Sequence, residues 1–316
     1  MDQDGESFGV KMQDMALTSV PRRAYETKPT ADPVALSIVI PAYNEGGVVA
    51  ATVKRIRAAL SELSMRFEIV VVDDGSTDGT RTAAELSGAV VLSSAENGGY
   101  GSALKRGIAA SQSDYVAIID ADGTYPPESL VPMIELVRTA DMVVGNRGRT
   151  MRNVPIIRRP AKWILNGLAN YLVRREIPDV NSGMRVFRRA SLEIFIPLLP
   201  DGFSFTTTIT LAMLCTNRRV VYYPIQYAKR TGSSKIRATH FFAFIVLLLR
   251  IVTLFEPLRI FMPLGGALFG IGLCKLIYDV AVWNLSETAV LSFLGALIIW
   301  SVGLIADMIG RLHLRP

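Results

Sequence analysis

Cysteine and histidine are both scarce in this chain of 316 residues: Cys215 and Cys274, His240 and His313 are the full set. Two cysteines exclude a disulfide framework and a four-cysteine zinc site. Two histidines argue against a histidine-centred metal cage or proton relay. Charge is also thin, at 20% of residues, where a soluble domain carries about 25%. In exchange, 50% of the residues are hydrophobic and the mean hydropathy is +0.33. That excludes a wholly disordered chain and is too high for a purely soluble protein. At about 100–200 residues per domain, the length suggests two structural units. The net charge is +6, and where it sits matters more than its size.

The apolar surplus lies mostly after residue 240. Phe241–Phe255 is interrupted by Arg250 and ends at Glu256-Pro257. It falls short of the ~20 residues a span needs, so residues 236–257 are expected to form an amphipathic helix lying at the membrane interface. A second run, Ile260–Trp283, carries Lys275 and Asp279, one turn apart. A third, Thr288–Ala306, has no charge. Residues 258–316 are therefore expected to be a two-helix membrane domain. Arg250 and Arg259 precede the pair, Arg311 and Arg315 follow it, and the connection Asn284–Glu287 has no basic residue. The positive-inside rule then puts both termini and the preceding domain in the cytoplasm. If all three segments span instead, the C-terminus lies outside. Residues 1–34 lack the basic start and apolar run of a secretory signal and read as a flexible cytoplasmic extension.

Between residues 35 and 235, short apolar runs alternate with helical patterns. The runs are Leu36–Ile40, Phe67–Val72, Ala89–Leu92, Tyr115–Ile119 and Met142–Val144. Helical patterns fall near 47–63, 78–87, 100–111 and 127–139, with a further helix near 205–216 and a strand near 219–224. This rhythm predicts an α/β domain with a mostly parallel sheet covered on both faces. Residues 146–190 read as less regular and rich in arginine. In such sheets, ligands bind beyond the carboxyl ends of the strands. Those ends carry Pro41-Ala42-Tyr43-Asn44-Glu45, Asp73-Asp74-Gly75-Ser76 and Asp120-Ala121-Asp122-Gly123. Three polar, acid-bearing loops on one edge predict a site.

Each loop has a chemical and a local reading. Asp120 and Asp122 are one strand repeat apart and so share a side. Their hard oxygens suit Mg²⁺ or Mn²⁺ holding a diphosphate, although Asp-x-Asp also occurs in solvated turns. Asp73 at a strand end can accept from a nucleobase, while Ser76 or Thr77 is expected to cap the next helix. The glycine-rich run Asn97–Ser102 lacks the Gly-Lys-Ser/Thr ending of a P-loop and is either a structural turn or a phosphate contact. Arg230 and Lys235, just before the apolar tail, suit a phosphate at the bilayer surface or general attraction to anionic lipid.

These pieces together resemble a family of membrane-anchored, inverting glycosyltransferases: the polyprenyl-phosphate glycosyltransferases of glycosyltransferase family 2, the dolichol-phosphate mannose synthase group. The likeness runs from about Ser37 to Lys235. It rests on Val39–Glu45, Val72–Thr80, Asp120–Gly123, Gly145-Asn146-Arg147, Asn181–Phe187 and Arg230–Lys235 in that order, and on the paired spans that follow. It implies a GT-A fold, Rossmann-like, and a nucleotide-diphospho-sugar donor carrying UDP or GDP. Pro41, Tyr43, Glu45 and Asp73 would hold the nucleoside. Asp120 would sit near the ribose and metal, and Asp122 would coordinate Mg²⁺ or Mn²⁺. Arg147, Arg185, Arg230 and Lys235 would face donor or acceptor phosphates, and Asp179 would orient the acceptor. Members specific for mannose often carry Gln two residues after the second Asp. Thr124 stands there here, which leaves the sugar open.

The implied reaction transfers a sugar to a polyprenyl (dolichyl or undecaprenyl) phosphate at the cytoplasmic membrane face. Two other readings compete with it. A processive polysaccharide synthase usually has Gln-x-x-Arg-Trp and more spans, neither of which occurs here. A non-catalytic nucleotide-sugar-binding protein tethered to the membrane predicts a degraded acidic site, whereas Asp73, Asp120 and Asp122 are all present. No nucleic-acid reader motif accompanies the positive charge. The oligomeric state is left open, a homo-oligomer included.

Overall fold

The computed structural model describes residues 35–148, 176–228, 253, 256–283 and 286–313. The expected extension at 1–34, Arg230, Lys235 and nearly all of the expected interfacial helix lie outside the described residues. So do Arg149, Arg152, Arg158, Arg159, Arg174 and Arg175.

The first half alternates as its hydrophobic pattern predicts: β1 (Leu36–Ala42), α1 (Val49–Ala59), β2 (Phe67–Asp73), α2 (Thr80–Leu86), β3 (Val90–Ser93), α3 (Tyr100–Ala110), β4 (Tyr115–Ile118), α4 (Leu130–Val137) and β5 (Met142–Asn146). The second half adds β6 (Arg185–Arg188), the short α5 (Arg189–Glu193), α6 (Phe205–Cys215) and β7 (Val220–Pro224). Expected and observed strand ends differ by at most one residue, except where β1 and β5 run on by two into their polar loops.

The seven strands form one sheet in the order β3-β2-β1-β4-β6-β5-β7. β1 pairs in parallel with β2 and with β4, and β5 pairs in parallel with β7. Chain order reverses between β1 and β4, so the loops leaving those two strands flank a crevice at the switch point.

Alternation along each strand feeds a core on both faces. Leu36, Ile38 and Ile40 of β1 pack under α1 and α4 with Val53, Ile56, Met133 and Ile134. Val39 packs on the opposite face with Val72, Leu104 and Ile108, beside Phe205 and Ile209 of α6. Each such fully buried aliphatic side chain contributes about 1.5–3 kcal/mol. α3 lies unusually close to the sheet because Gly107 has no side chain: a Cβ there would fall 2.3 Å from Cγ1 of Val39.

Two sequence expectations need correction. The stretch 146–190, read as irregular, contains β6, which enters the sheet antiparallel between β4 and β5. Arginines at both ends of its four residues mask it, because the pattern assigns charge to the surface. Ser76 and Thr77 do not cap α2, whose preceding residue is Gly79 with no side-chain cap bond. Their hydrogen bonds go to Asn44 in the loop after β1 instead.

The C-terminal part is a hairpin of α7 (Leu258–Ala281) and α8 (Glu287–His313). Each contains a stretch of 24 residues long and apolar enough to cross a membrane, about 36 Å at 1.5 Å per residue. The helices meet through small residues. A Cβ on Gly265 would lie 2.3 Å from Nε1 of Trp300, and one on Gly303 would lie 2.5 Å from Cβ of Phe261. The Trp300 indole donates to the Met262 carbonyl at 3.1 Å. At the turn, Asp279 accepts from Nζ of Lys275 at 2.7 Å, from the Ser286 amide at 2.9 Å and from the Ser286 hydroxyl. Lys275 and Asp279, one turn apart on α7, thus pair, and α8 starts at the same carboxylate. Leu264, Ile271, Ile277, Leu291, Leu297 and Ile305 project outward, where lipid would meet them.

Candidate active site

The loops after β1 and β2 are stitched together by short polar side chains. The Asn44 amide donates to Oγ of Ser76 at 2.9 Å, and Oδ1 of Asn44 accepts from the Thr77 amide at 2.9 Å. The Glu45 amide donates to Oγ1 of Thr80 at 2.8 Å and the Gly46 amide to Oδ2 of Asp78 at 3.1 Å. Asp78 also accepts from the Thr80 hydroxyl, which holds its carboxyl below the ordinary range. Asn44 itself stands at φ 56°, a conformation Asn tolerates better than most residues. Asp73 is buried at the tip of β2 and accepts the Ser76 amide at 3.1 Å. Pro41 lies within β1, opposite Val72. The Tyr43 ring is half exposed at the rim.

Asp74 decides the role of the glycine-rich run. Its buried carboxylate accepts from the amides of Gly98 at 3.1 Å and Gly99 at 2.8 Å, and from Nη2 of Arg106 at 2.7 Å. Of the two readings open for Asn97–Ser102, these bonds favour the structural turn. Gly75, at φ 75°, approaches the same run so closely that a Cβ would meet the Glu96 carbonyl carbon at 2.7 Å.

Asp120 and Asp122 sit just beyond β4, on the other side of the switch point. Oδ1 of Asp120 accepts from the Tyr100 hydroxyl at 2.8 Å. Oδ1 of Asp122 accepts from the Thr124 hydroxyl at 2.6 Å and from its amide at 3.1 Å. Gly183 makes room for Asp120: a Cβ there would lie 2.3 Å from Oδ2 and 2.6 Å from the carboxyl carbon. The Gly183 amide in turn donates to the Tyr125 hydroxyl at 2.7 Å. Burial, followed by the Asp120 charge, pushes both tyrosine hydroxyls above their ordinary range. Both therefore remain protonated at neutral pH.

Among the described residues, no group of three or more His, Cys, Asp or Glu could cage a metal. Two carboxylates one strand repeat apart beyond β4 are nevertheless a donor set of the kind Mg²⁺ or Mn²⁺ uses when a diphosphate and waters complete its shell. The residues fit that ion and would hold it through Asp120 and Asp122.

The arginines depart from expectation. Arg147 forms a fork with Asp179, Nε to Oδ2 at 2.8 Å and Nη2 to Oδ1 at 2.9 Å, and also donates to the Asn181 carbonyl. Its guanidinium lies 5.4 Å from the Tyr227 ring centre. Burial alone would raise the Asp179 carboxyl, but the hydrogen bonds and charge of Arg147 outweigh it and hold it below the ordinary range. Asp179 and Arg147 are thus each other's partners.

Arg185, expected to face phosphates, is turned wholly into the core, with no exposed surface. It donates to the carbonyls of Ser182 at 2.8 Å and Val180 at 3.0 Å, and to Oγ1 of Thr210 at 2.6 Å. Its strand runs antiparallel, and the side chain falls under α6 rather than into the cleft. Burial lowers its pKa, yet a guanidinium stays protonated, so the carbonyl dipoles and the Thr210 hydroxyl stand in for water around its charge. Its effect is to shape the 180–183 turn that holds Gly183 against Asp120.

Sequence reasoning did not assign Tyr100, Tyr125 and Gly183 to the site. A lone aromatic between glycines at 98–101 was the available signal for Tyr100, and an Asn-Ser-Gly turn that for Gly183.

A mostly parallel seven-stranded sheet with acidic loops at its switch point defines an α/β domain of the GT-A kind. Two solved structures share it: glucosyl-3-phosphoglycerate synthase from Mycobacterium tuberculosis, in complex with Mn²⁺, UDP and glucosyl-3-phosphoglycerate (TM-score 0.54, 23% identity, 69% of this chain and 79% of that one), and mannosyl-3-phosphoglycerate synthase from Rubrobacter xylanophilus (TM-score 0.55, 22% identity, 69% and 74%). At these identities the likeness establishes the fold. Residues 37–195 match Glycosyl transferase family 2, and residues 256–312 match the GtrB C-terminal hairpin. The chain belongs to glycosyl transferase family 2 and is a glycosyltransferase. Among curated relatives, the undecaprenyl-phosphate 4-deoxy-4-formamido-L-arabinose transferase of Aeromonas hydrophila is 28% identical, over 88% of this chain and 89% of its own. The undecaprenyl-phosphate mannosyltransferase of Micrococcus luteus is 31% identical, over 63% of this chain and 86% of its own.

Proposed function

We propose that the protein transfers one sugar, with inversion, from a UDP- or GDP-sugar to a polyprenyl phosphate at the cytoplasmic face of a membrane. The observation that carries this reading is the union in one chain of two parts. One is a sheet edge at the switch point that carries Asp120 and Asp122; the other is a hairpin whose outer surface is apolar. A polyprenyl chain stays in the bilayer, so its phosphate can be reached only by a catalytic domain held at the surface. The relatives named for undecaprenyl-phosphate transfer support the same acceptor class.

In this reading residues 35–235 are the catalytic domain, 236–257 an interfacial segment and 258–316 the anchor. Tyr43, Glu45 and Asp73, with Pro41 behind them, receive the nucleoside in the loops that Asn44, Ser76 and Thr80 fasten together. Asp120 and Asp122 face the donor diphosphate. Bound there, Mg²⁺ or Mn²⁺ supplies Lewis-acid neutralisation of the leaving group's charge. The acceptor phosphate is already an anion at neutral pH, so its oxygen attacks the anomeric carbon without a strong base. This agrees with an Asp179 that is paired to Arg147 and poorly suited to take a proton. The Arg147–Asp179 fork instead fixes the turn bearing Asn181 and Gly183, and Arg230 and Lys235 hold the acceptor phosphate. Catalysis is then positioning plus charge stabilisation.

Incubating the purified full-length protein with radiolabelled UDP- and GDP-sugars and undecaprenyl or dolichyl phosphate tests this. The expected product is a lipid carrying a single sugar. A polymer, or no labelled lipid with any donor, would overturn it.

A further inference from the structure

We propose that Tyr100 is a positioning residue for Asp120, held in place by Phe203. This rests on the reading of Asp120 as part of the donor-diphosphate site. Tyr100 is the first residue of α3, and its hydroxyl donates to Oδ1 of Asp120 at 2.8 Å. The loop at 200–203 is pressed against the start of that helix. A Cβ on Gly101 would lie 2.2 Å from the Pro200 carbonyl oxygen, and one on Gly99 would lie 2.7 Å from that of Asp201. The Ser102 amide donates to the Asp201 carbonyl at 3.0 Å, and Nζ of Lys105 reaches Oδ1 of Asp201 at 2.9 Å.

This fastening sets the Phe203 ring over Tyr100, with centres 5.7 Å apart and planes 16° from parallel. Phe203 as a whole is 81% exposed. An apolar ring held in water is better explained by what its inner face supports than by its own burial. On the opposite side, the backbone at Gly183 closes against the Asp120 carboxylate. Asp120 is therefore bracketed, by a hydroxyl that fixes one oxygen and by a glycine that blocks displacement. A hydrogen bond to a metal-binding carboxylate orients it, and losing such a bond typically costs about 10–100-fold in metal affinity.

Tyr100→Phe removes the hydroxyl and keeps the stacked ring, so it separates positioning from folding. The test is an electron paramagnetic resonance titration of Mn²⁺ into the full-length protein with UDP, and separately with GDP, alongside thermal melting. The expected result is Mn²⁺–nucleotide binding weakened about 10–100-fold in Tyr100→Phe at an unchanged melting temperature, with a smaller weakening in Phe203→Ala. Equal affinity in wild type and Tyr100→Phe would overturn the role of Tyr100 alone. So would an affinity loss matched by a fall in melting temperature. A wild-type protein that binds Mn²⁺ with neither nucleotide would overturn the donor-site reading and this role with it.

Discussion

Around its acidic loops the α/β domain uses glycine to a different end from the helical hairpin, although Gly107 also brings α3 close to the sheet. In the domain, glycine lets backbone approach a charged group: Gly183 admits the Asp120 carboxylate, and Gly98 and Gly99 offer amides to Asp74. In the hairpin, glycine lets one helix approach the other: Gly265 receives Trp300 and Gly303 receives Phe261. The difference follows from the solvent. In water, burying Ile38 or Val39 drives folding, and small residues are free to serve the site. In lipid, apolar surface gains nothing by being buried, so close packing of small residues must hold the helices together.

Substitutions can break this comparison at graded depth. Asp122→Asn should have the largest effect, lowering transfer by up to about a thousandfold on the scale of lost charge stabilisation, with the protein still folded and membrane-bound. Product assays and circular dichroism check this. Gly183→Ala should come next, because its methyl would displace Asp120: activity falls about a hundredfold while the hairpin is unaffected. Arg147→Ala leaves Asp179 without its partner and should cost up to about 3 kcal/mol of stability, read by denaturant unfolding of the detergent-solubilised protein.

The same pair sets a pH dependence. The folded Asp179 carboxyl lies below its ordinary 3.8, so its contribution is complete above that value and is lost as pH falls towards the lower folded one. Asp179→Asn should flatten the acid limb of the stability profile in that range. The smallest effect sharpens the hairpin side of the comparison. Gly265→Leu should loosen the helix pair, whereas Gly266→Leu, with nothing within 4 Å of its Cβ position, should leave it intact. Crosslinking between engineered cysteines on the two helices would report the difference.

Much of the fold was legible in advance because hydrophobic period is local. β1 to β5 and the helices between them follow from runs such as Leu36–Ile40 and from the turns after them. The acidic loops were legible as strand ends. β6 was not, because Arg185 and Arg188 flank only two apolar residues. The fates of the arginines were equally hidden. A sequence shows that Arg147 and Arg185 are charged; it does not show that Asp179, 32 residues on, takes the first, or that carbonyls and Thr210 enclose the second.

The sequence alone settled the alternation of strand and helix, the acidic edge and the apolar tail, since each is written in neighbouring residues. Only the tertiary structure decided which of the polar residues work on a ligand and which hold the scaffold. Asp74, Ser76, Thr77 and Asp78 became struts, Arg185 became a buried support, and Tyr100 was brought to Asp120 from 20 residues away. The physical reason is that buried polar groups must find partners, and those partners are chosen by packing in space rather than by proximity along the chain.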